Sequence, residues 1–200
     1  LHWLLSFVPA IILTVALALE RRALVITGRW FAGFAVLHAL VLAALVAMPL
    51  ETWKSTRRYQ NLVMLADPAA VLRPLASRLD GDTLAYESYS MAAVLAFHTK
   101  RIVPVFGPGS SHARHDDILT DWRRYQGRDL VILGRDEPQM QNYRPYFQAV
   151  ETRRIEARGA TYHAVLGRGF DYAAYREGVL KPVRERWYRI PPWLPVGGCY

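Results

Sequence analysis

The chain has 200 residues, 52% of them hydrophobic and 21% charged, with 25 Lys and Arg against 17 Asp and Glu for a formal net charge of +8. Its single cysteine, Cys199, excludes an internal disulfide framework, and its basic residues are interleaved with acids and carry no nucleic-acid motif, which argues against nucleic acid as a partner. Residues 1–50 hold three basic residues and one acid while the remainder holds 22 and 16, so an apolar part and a mildly basic polar part are joined end to end.

The first apolar stretch, "HWLLSFVPAIILTVALAL", runs from His2 to Leu19 without a charge, and Pro9 is the expected site of a kink. The segment "ERRALVITGR" joins it to a second uncharged stretch of 21 residues, Trp30 to Leu50. That length spans a hydrocarbon core of roughly 30 Å, which needs about 20 apolar residues at helical rise. Only His38 interrupts the second stretch, and hydrogen bonding in helix packing is its expected role. Two transmembrane helices are therefore expected over residues 1–50. The basic residues follow the first apolar run instead of preceding it, and no small-residue cleavage site is evident, which is unlike a signal peptide. Charge counting leaves the orientation tied, with Arg21, Arg22 and Arg29 between the spans and Lys54, Arg57 and Arg58 after them.

Residues 51–65 read as a linker, and the polar domain is expected over 66–200. In "ADPAAVLRPLASRLDGD", Asp67 is an N-cap, Pro68 takes the first helical position, Val71, Leu72, Leu75 and Leu79 share a face, and Gly81 ends the helix. "TLAYE" reads as a strand, "SYSMAAVLAFHTK" as a helix and "RIVPVF" as a second strand. After the loop "GPGSSHARH" come a helix, "DDILTDWRRYQ", and the short strand "DLVIL" closed by Gly134. Such alternation favours an α/β fold in three layers with a mostly parallel sheet. "AVETRRIEA" and "TYHAVLGR" read as a closing antiparallel hairpin, and "DYAAYREGVLKPVRERWY" as a final amphipathic helix that Pro182 can break.

Open α/β sheets bind ligands beyond the carboxyl ends of their strands. This points to Tyr86, Glu87, Ser88 and Tyr89 after the first strand and to the Gly107–Ser111 loop after the second. Glu87 offers an acid or base, a hydroxyl-binding carboxylate, or simply a carboxylate favoured by a helix N-terminus. "GPGSS" lacks the Lys of a P-loop and the spacing of a dinucleotide fingerprint. "HARHDD" supplies His112, His115, Asp116 and Asp117 but no distant further ligand, so no metal is assigned. Tyr172, Tyr175, Trp187, Tyr188 and Trp193 suit either an interfacial aromatic belt or core packing.

None of these groups forms a catalytic constellation, but several stretches carry a resemblance. "LAYESYSMAAVLAFHTKRIVPVFG", "WRRYQGRDLVILGR" and "GRGFDYAAYREGVLKPVRERWYRIPPWLP" resemble the C-terminal domain of bacterial family 39 glycosyltransferases. These are membrane enzymes related to dolichyl-phosphate-mannose protein mannosyltransferases and to the lipid A aminoarabinose transferase. The resemblance covers most of residues 60–195 and the two spans before them. It implies an inner-membrane enzyme that moves a sugar from a polyprenyl-phosphate donor to a glycan, lipid or protein acceptor, with the polar domain on the extracytoplasmic side and no cofactor. The family's catalytic acid lies in an early external loop that no residue here matches. Because the sequence opens on Leu1 within an apolar run, a C-terminal fragment is expected. Tyr86, Glu87 and Tyr89 are then the candidate substrate-binding residues, and none is catalytic. The alternative is a complete membrane-anchored α/β ligand-binding module. An anchored hydrolase lacks Gly-x-Ser-x-Gly, and an anchored nucleotide enzyme lacks a Gly-rich fingerprint.

Overall fold

The computed structural model describes residues 6–108, 116, 119–188 and 193. The chain divides into two compact units, Leu1–Pro49 and Leu50–Tyr200.

The first unit holds α1 (Val8–Ala18) and α2 (Arg21–Ala47). With 27 residues, α2 is about 40 Å long, and among the described residues it is the one helix long and apolar enough to cross a membrane. The 11 residues of α1 reach only about 16 Å, roughly half of a hydrocarbon core. Two full spans are thus not what the described residues form, and His2–Leu5 of the expected first span lie outside them. Pro9 does not kink α1. It sits in the first turn, where its missing N–H would have had no helical partner. The expected linker "ERRALVITGR" is helical from Arg21 onward, because the break falls at Leu19 and Glu20, whose extended backbones separate the two helices. His38 directs Nδ1 to the Phe34 carbonyl of its own helix at 3.0 Å.

The second unit begins at Leu50, and residues 51–65 are not a linker. They carry α3 (Tyr59–Ala66), whose Tyr59, Val63 and Met64 recur at helical spacing and are buried. The Tyr59 hydroxyl donates to the Arg158 carbonyl at 2.6 Å, and the Gln60 amide donates to the Thr161 carbonyl at 2.6 Å. The Tyr162 hydroxyl donates to the Gln60 carbonyl. These bonds tie α3 to a hairpin about a hundred positions later in sequence.

The single helix expected from Pro68 is interrupted. Asp67 caps α4 (Pro68–Leu72) by accepting from the Ala70 N–H. Pro74 then forces a 3-10 turn, Arg73–Leu75, before α5 (Ala76–Leu79). Further on come β1 (Thr83–Tyr86), α6 (Tyr89–Thr99), β2 (Leu130–Gly134), β3 (Phe147–Ala157) and β4 (Ala160–Phe170).

The sheet is four-stranded and mixed, in the order β1-β2-β4-β3. β1 and β2 are parallel, whereas β4 lies antiparallel to both β2 and β3. The expected mostly parallel sheet is therefore corrected. The cause is the hairpin, whose two-residue turn, Arg158 (φ 49) and Gly159 (φ 76), has both residues left-handed and so reverses the chain tightly. That turn fixes β3 antiparallel to β4, which lies directly against β2. "RIVPVF" is reduced to a parallel bridge between Tyr86 and Val105, because Pro104 has no N–H to continue a ladder.

β2 is buried at every position, and its side chains alternate between two apolar clusters. Val131 and Leu133 join α3, α4 and α6 residues on one face, while Leu130 and Ile132 join an aromatic group containing Phe106, Trp122, Phe147, Phe170 and Tyr175 on the other. The chain finishes this second layer with α7 (Tyr172–Tyr175), a π-helical turn Arg176–Leu180, and α8 (Lys181–Trp187). Pro182 does not end the final helix. It has no N–H for the Gly178 carbonyl, and the chain widens into the π turn ahead of it. Of the helix expected over 116–126, Asp116 and Leu119 are helical and the Thr120 N–H donates to the Asp116 carbonyl at 3.0 Å, while 117 and 118 lie outside the described residues. The Asp121 carboxylate then accepts from the Arg123 N–H and starts a separate 3-10 turn, Trp122–Tyr125.

Candidate functional site

The carboxyl ends of β1 and β2 lie side by side, with Tyr86 paired to Leu133. Beyond them Glu87 leaves β1, held by a hydrogen bond from its N–H to the Leu133 carbonyl at 3.1 Å. Its side chain folds across the end of β2 against Gly134. A Cβ at that position would collide with the Glu87 carboxyl group, so the absence of a side chain at residue 134 lets the carboxyl lie there.

Glu87 borders two cavities. One, of about 450 Å³, is lined by Phe106, Gly107, Gln141, Asn142, Tyr143 and Tyr146 among others. Its wall is aromatic: Phe106 stacks on Tyr143 at 5.6 Å between ring centroids and also lies 4.9 Å from Tyr175, which itself lies 4.7 Å from Trp122. The buried Tyr175 hydroxyl accepts from the Gly107 N–H at 2.9 Å, which pins the start of the glycine-containing loop to this wall. Gly178, in the π turn, admits the Tyr146 ring, whose hydroxyl would lie 2.6 Å from a Cβ there. The other cavity, of about 340 Å³, lies on the opposite face of the sheet and is walled by Asn61, Tyr86, Ser88, Ser90, Arg135 and Asp136, with Met91 at its apolar side.

Burial pushes the Glu87 carboxyl up to about 7, with the Asp136 carboxylate adding to the shift. Among the described residues no hydrogen bond or ion pair satisfies it. Burial raises the Tyr86 phenol to about 12, followed by the effect of Glu87. The Arg135 guanidinium is engaged by Asp136 at 3.1 Å.

The three sequence-derived candidates thus separate. Glu87 stands between the cavities. Tyr86 is 2% exposed and lines only the smaller one, and Tyr89 is 49% exposed and lines neither. Of the loop "GPGSS", Gly107 and Pro108 line the larger cavity, while Gly109–Ser111 lie outside the described residues, as do His112, His115 and Asp117 of the metal candidates. Sequence reading passed over Gln141, Asn142, Tyr143 and Tyr146, which two 3-10 turns, Met140–Asn142 and Arg144–Tyr146, bring to the site. Their signal was a polar and aromatic stretch with Pro138 and Pro145 between β2 and β3. A third cavity, of about 420 Å³, lies at the opposite end of the sheet around Asp82, Arg101 and Arg128.

The arrangement can hold a neutral, hydroxyl-bearing ligand. It offers aromatic faces, two carboxamides and a carboxyl that is partly protonated near neutrality, able to donate or accept. No family model matches the chain, and no curated protein or solved structure matches it.

Proposed function

We propose that the unit from Leu50 onward is the extracytoplasmic glycan-binding domain of a membrane glycosyltransferase that uses a polyprenyl-phosphate-linked sugar, with α2 as a membrane anchor. The observation that carries the reading is the aromatic cavity of about 450 Å³ with the Glu87 carboxyl at its edge, where among the described residues no hydrogen bond or ion pair holds it. Sugar rings present apolar C–H faces and hydroxyl edges together, and a pocket of aromatic walls with a few convergent polar groups complements both. The resemblance to family 39 glycosyltransferases supplies the reaction class, and a bacterial inner-membrane location belongs to the same proposal. On this reading Glu87 binds acceptor hydroxyls, and the group that stabilises the transition state lies elsewhere in the enzyme. The chain by itself then transfers no sugar, since binding alone does not stabilise a transition state.

The test is saccharide affinity of the chain in lipid nanodiscs, for wild type and for Glu87→Gln. Loss of a hydrogen bond to a charged group is expected to weaken binding by about 1 to 3 kcal/mol, roughly 5- to 150-fold, without loss of fold or membrane insertion. Unchanged affinity together with a lowered Tm would leave Glu87 as a structural residue and remove the binding role.

A further inference from the structure

The smaller cavity contains a group that the fold leaves unused. Tyr86 is 2% exposed, yet among the described residues its hydroxyl has no hydrogen-bond partner, and a buried polar group without one costs free energy that a ligand could recover. Around it stand the Ser88, Ser90 and Asn61 side chains, which also form no hydrogen bonds among the described residues, at an α6 N-terminus that receives no side-chain cap. The cavity is not suited to an anion. Its Arg135 is already paired with Asp136, and the carboxyl groups of Glu87 and Asp136 both border it. Hydroxyls, amides and one guanidinium-carboxylate pair match a neutral polyol.

We propose that the carboxyl edge of the sheet is a two-subsite groove in which Glu87 is the ridge: one sugar unit packs in the aromatic cavity, and the adjoining unit crosses β1 and β2 to fill the polar cavity and bond the Tyr86 phenol. The proposal rests on reading the aromatic cavity as a sugar site, and it deepens that reading by naming the ligand as a glycan of at least two units. Gly134 has a defined part in it, because a side chain there would displace the Glu87 carboxyl that separates the subsites.

The test compares cellobiose, maltose, chitobiose and mannobiose with their monosaccharides on the full chain in nanodiscs. At least one disaccharide is expected to bind about tenfold tighter than its monosaccharide. Tyr86→Phe and, separately, Ser90→Ala are expected to weaken that disaccharide about 3- to 10-fold, the scale of one hydrogen bond, with the monosaccharide unchanged. Tyr86→Phe should leave Tm equal or higher, because it removes a buried hydroxyl that nothing among the described residues satisfies. Equal binding of disaccharide and monosaccharide, or indifference of the disaccharide to both variants, overturns the second subsite while leaving the first. Absence of binding by every saccharide overturns the glycan reading itself.

Discussion

The Glu87 carboxyl takes its raised pKa of about 7 from burial first and from Asp136 second, and the sign of that shift sets opposite pH trends for stability and for binding. The folded state holds the proton through the window from the ordinary value of 4.5 up to about 7, where the unfolded chain has released it. Stability contributed by this group is therefore full below 4.5 and is lost as pH rises towards 7. Glu87→Gln should remove that loss, raising stability above pH 7 relative to wild type by on the order of 1 kcal/mol once solvent screening is allowed for. Thermal melts of both proteins across pH 4.5 to 8 check it, and parallel curves would contradict it. Binding should run the other way, because a carboxylate is the stronger acceptor. Saccharide affinity should rise through pH 7 in wild type and stay flat in Glu87→Gln. The charged group that enters this balance beside burial is the Asp136 carboxylate. Sequence reading reached Glu87 through the rule for strand ends, but it could not supply the shift, which depends on Gly134 and Asp136 some fifty positions away.

At the scale of elements, what was legible followed from local chemistry. The hairpin was readable because Arg158 and Gly159 fill a two-residue turn, β1 and β2 because their apolar runs are bounded by Gly81 and Gly134. Helix ends were less readable wherever two signals competed. Pro74 lies inside a convincing apolar stripe and yet breaks it, and Asp121 is a cap hidden within a helical pattern. α3 was missed because its eight residues follow a basic cluster and are held by partners in β4 and its turn. Asp67 shows how such long-range ties can be tested. Its carboxyl is held below the usual carboxylate range, first by the hydrogen bond from Arg158 and then by that from the Ala70 N–H. Asp67→Ala removes the cap of α4 and the 2.7 Å pair to the hairpin turn together. A lowered Tm is expected, most of the loss coming from the cap, since an exposed ion pair contributes little. In a double-mutant cycle with Arg158→Ala, denaturant titration should give a coupling that is small beside the effect of Asp67→Ala alone. Coupling as large as that effect would show that the ion pair, not the cap, dominates.

For the whole molecule, hydropathy and charge change together near residue 50, and the two compact units meet at Pro49 and Leu50. Sequence reading missed the antiparallel pairing of β4 with β2, since a mixed sheet is decided by where β4 packs and not by any local period. Orientation in the membrane is a separate expectation. With the basic residues Arg21, Arg22 and Arg29 on the cytoplasmic side, a reporter active only in the cytoplasm and fused after residue 188 should be silent, whereas strong activity would reverse the assignment.

The central claim, that a glycan lies across the carboxyl edge of the sheet, is tested most directly by photolabelling the full chain in nanodiscs with a diazirine-bearing disaccharide and mapping the modified peptides. Labels are expected at residues 86–91, 106–108 and 139–146, the walls of the two cavities that Glu87 divides, with the labelling suppressed by unlabelled disaccharide. Labelling confined to residues 79–84 and 99–103, at the opposite end of the sheet, would contradict the account.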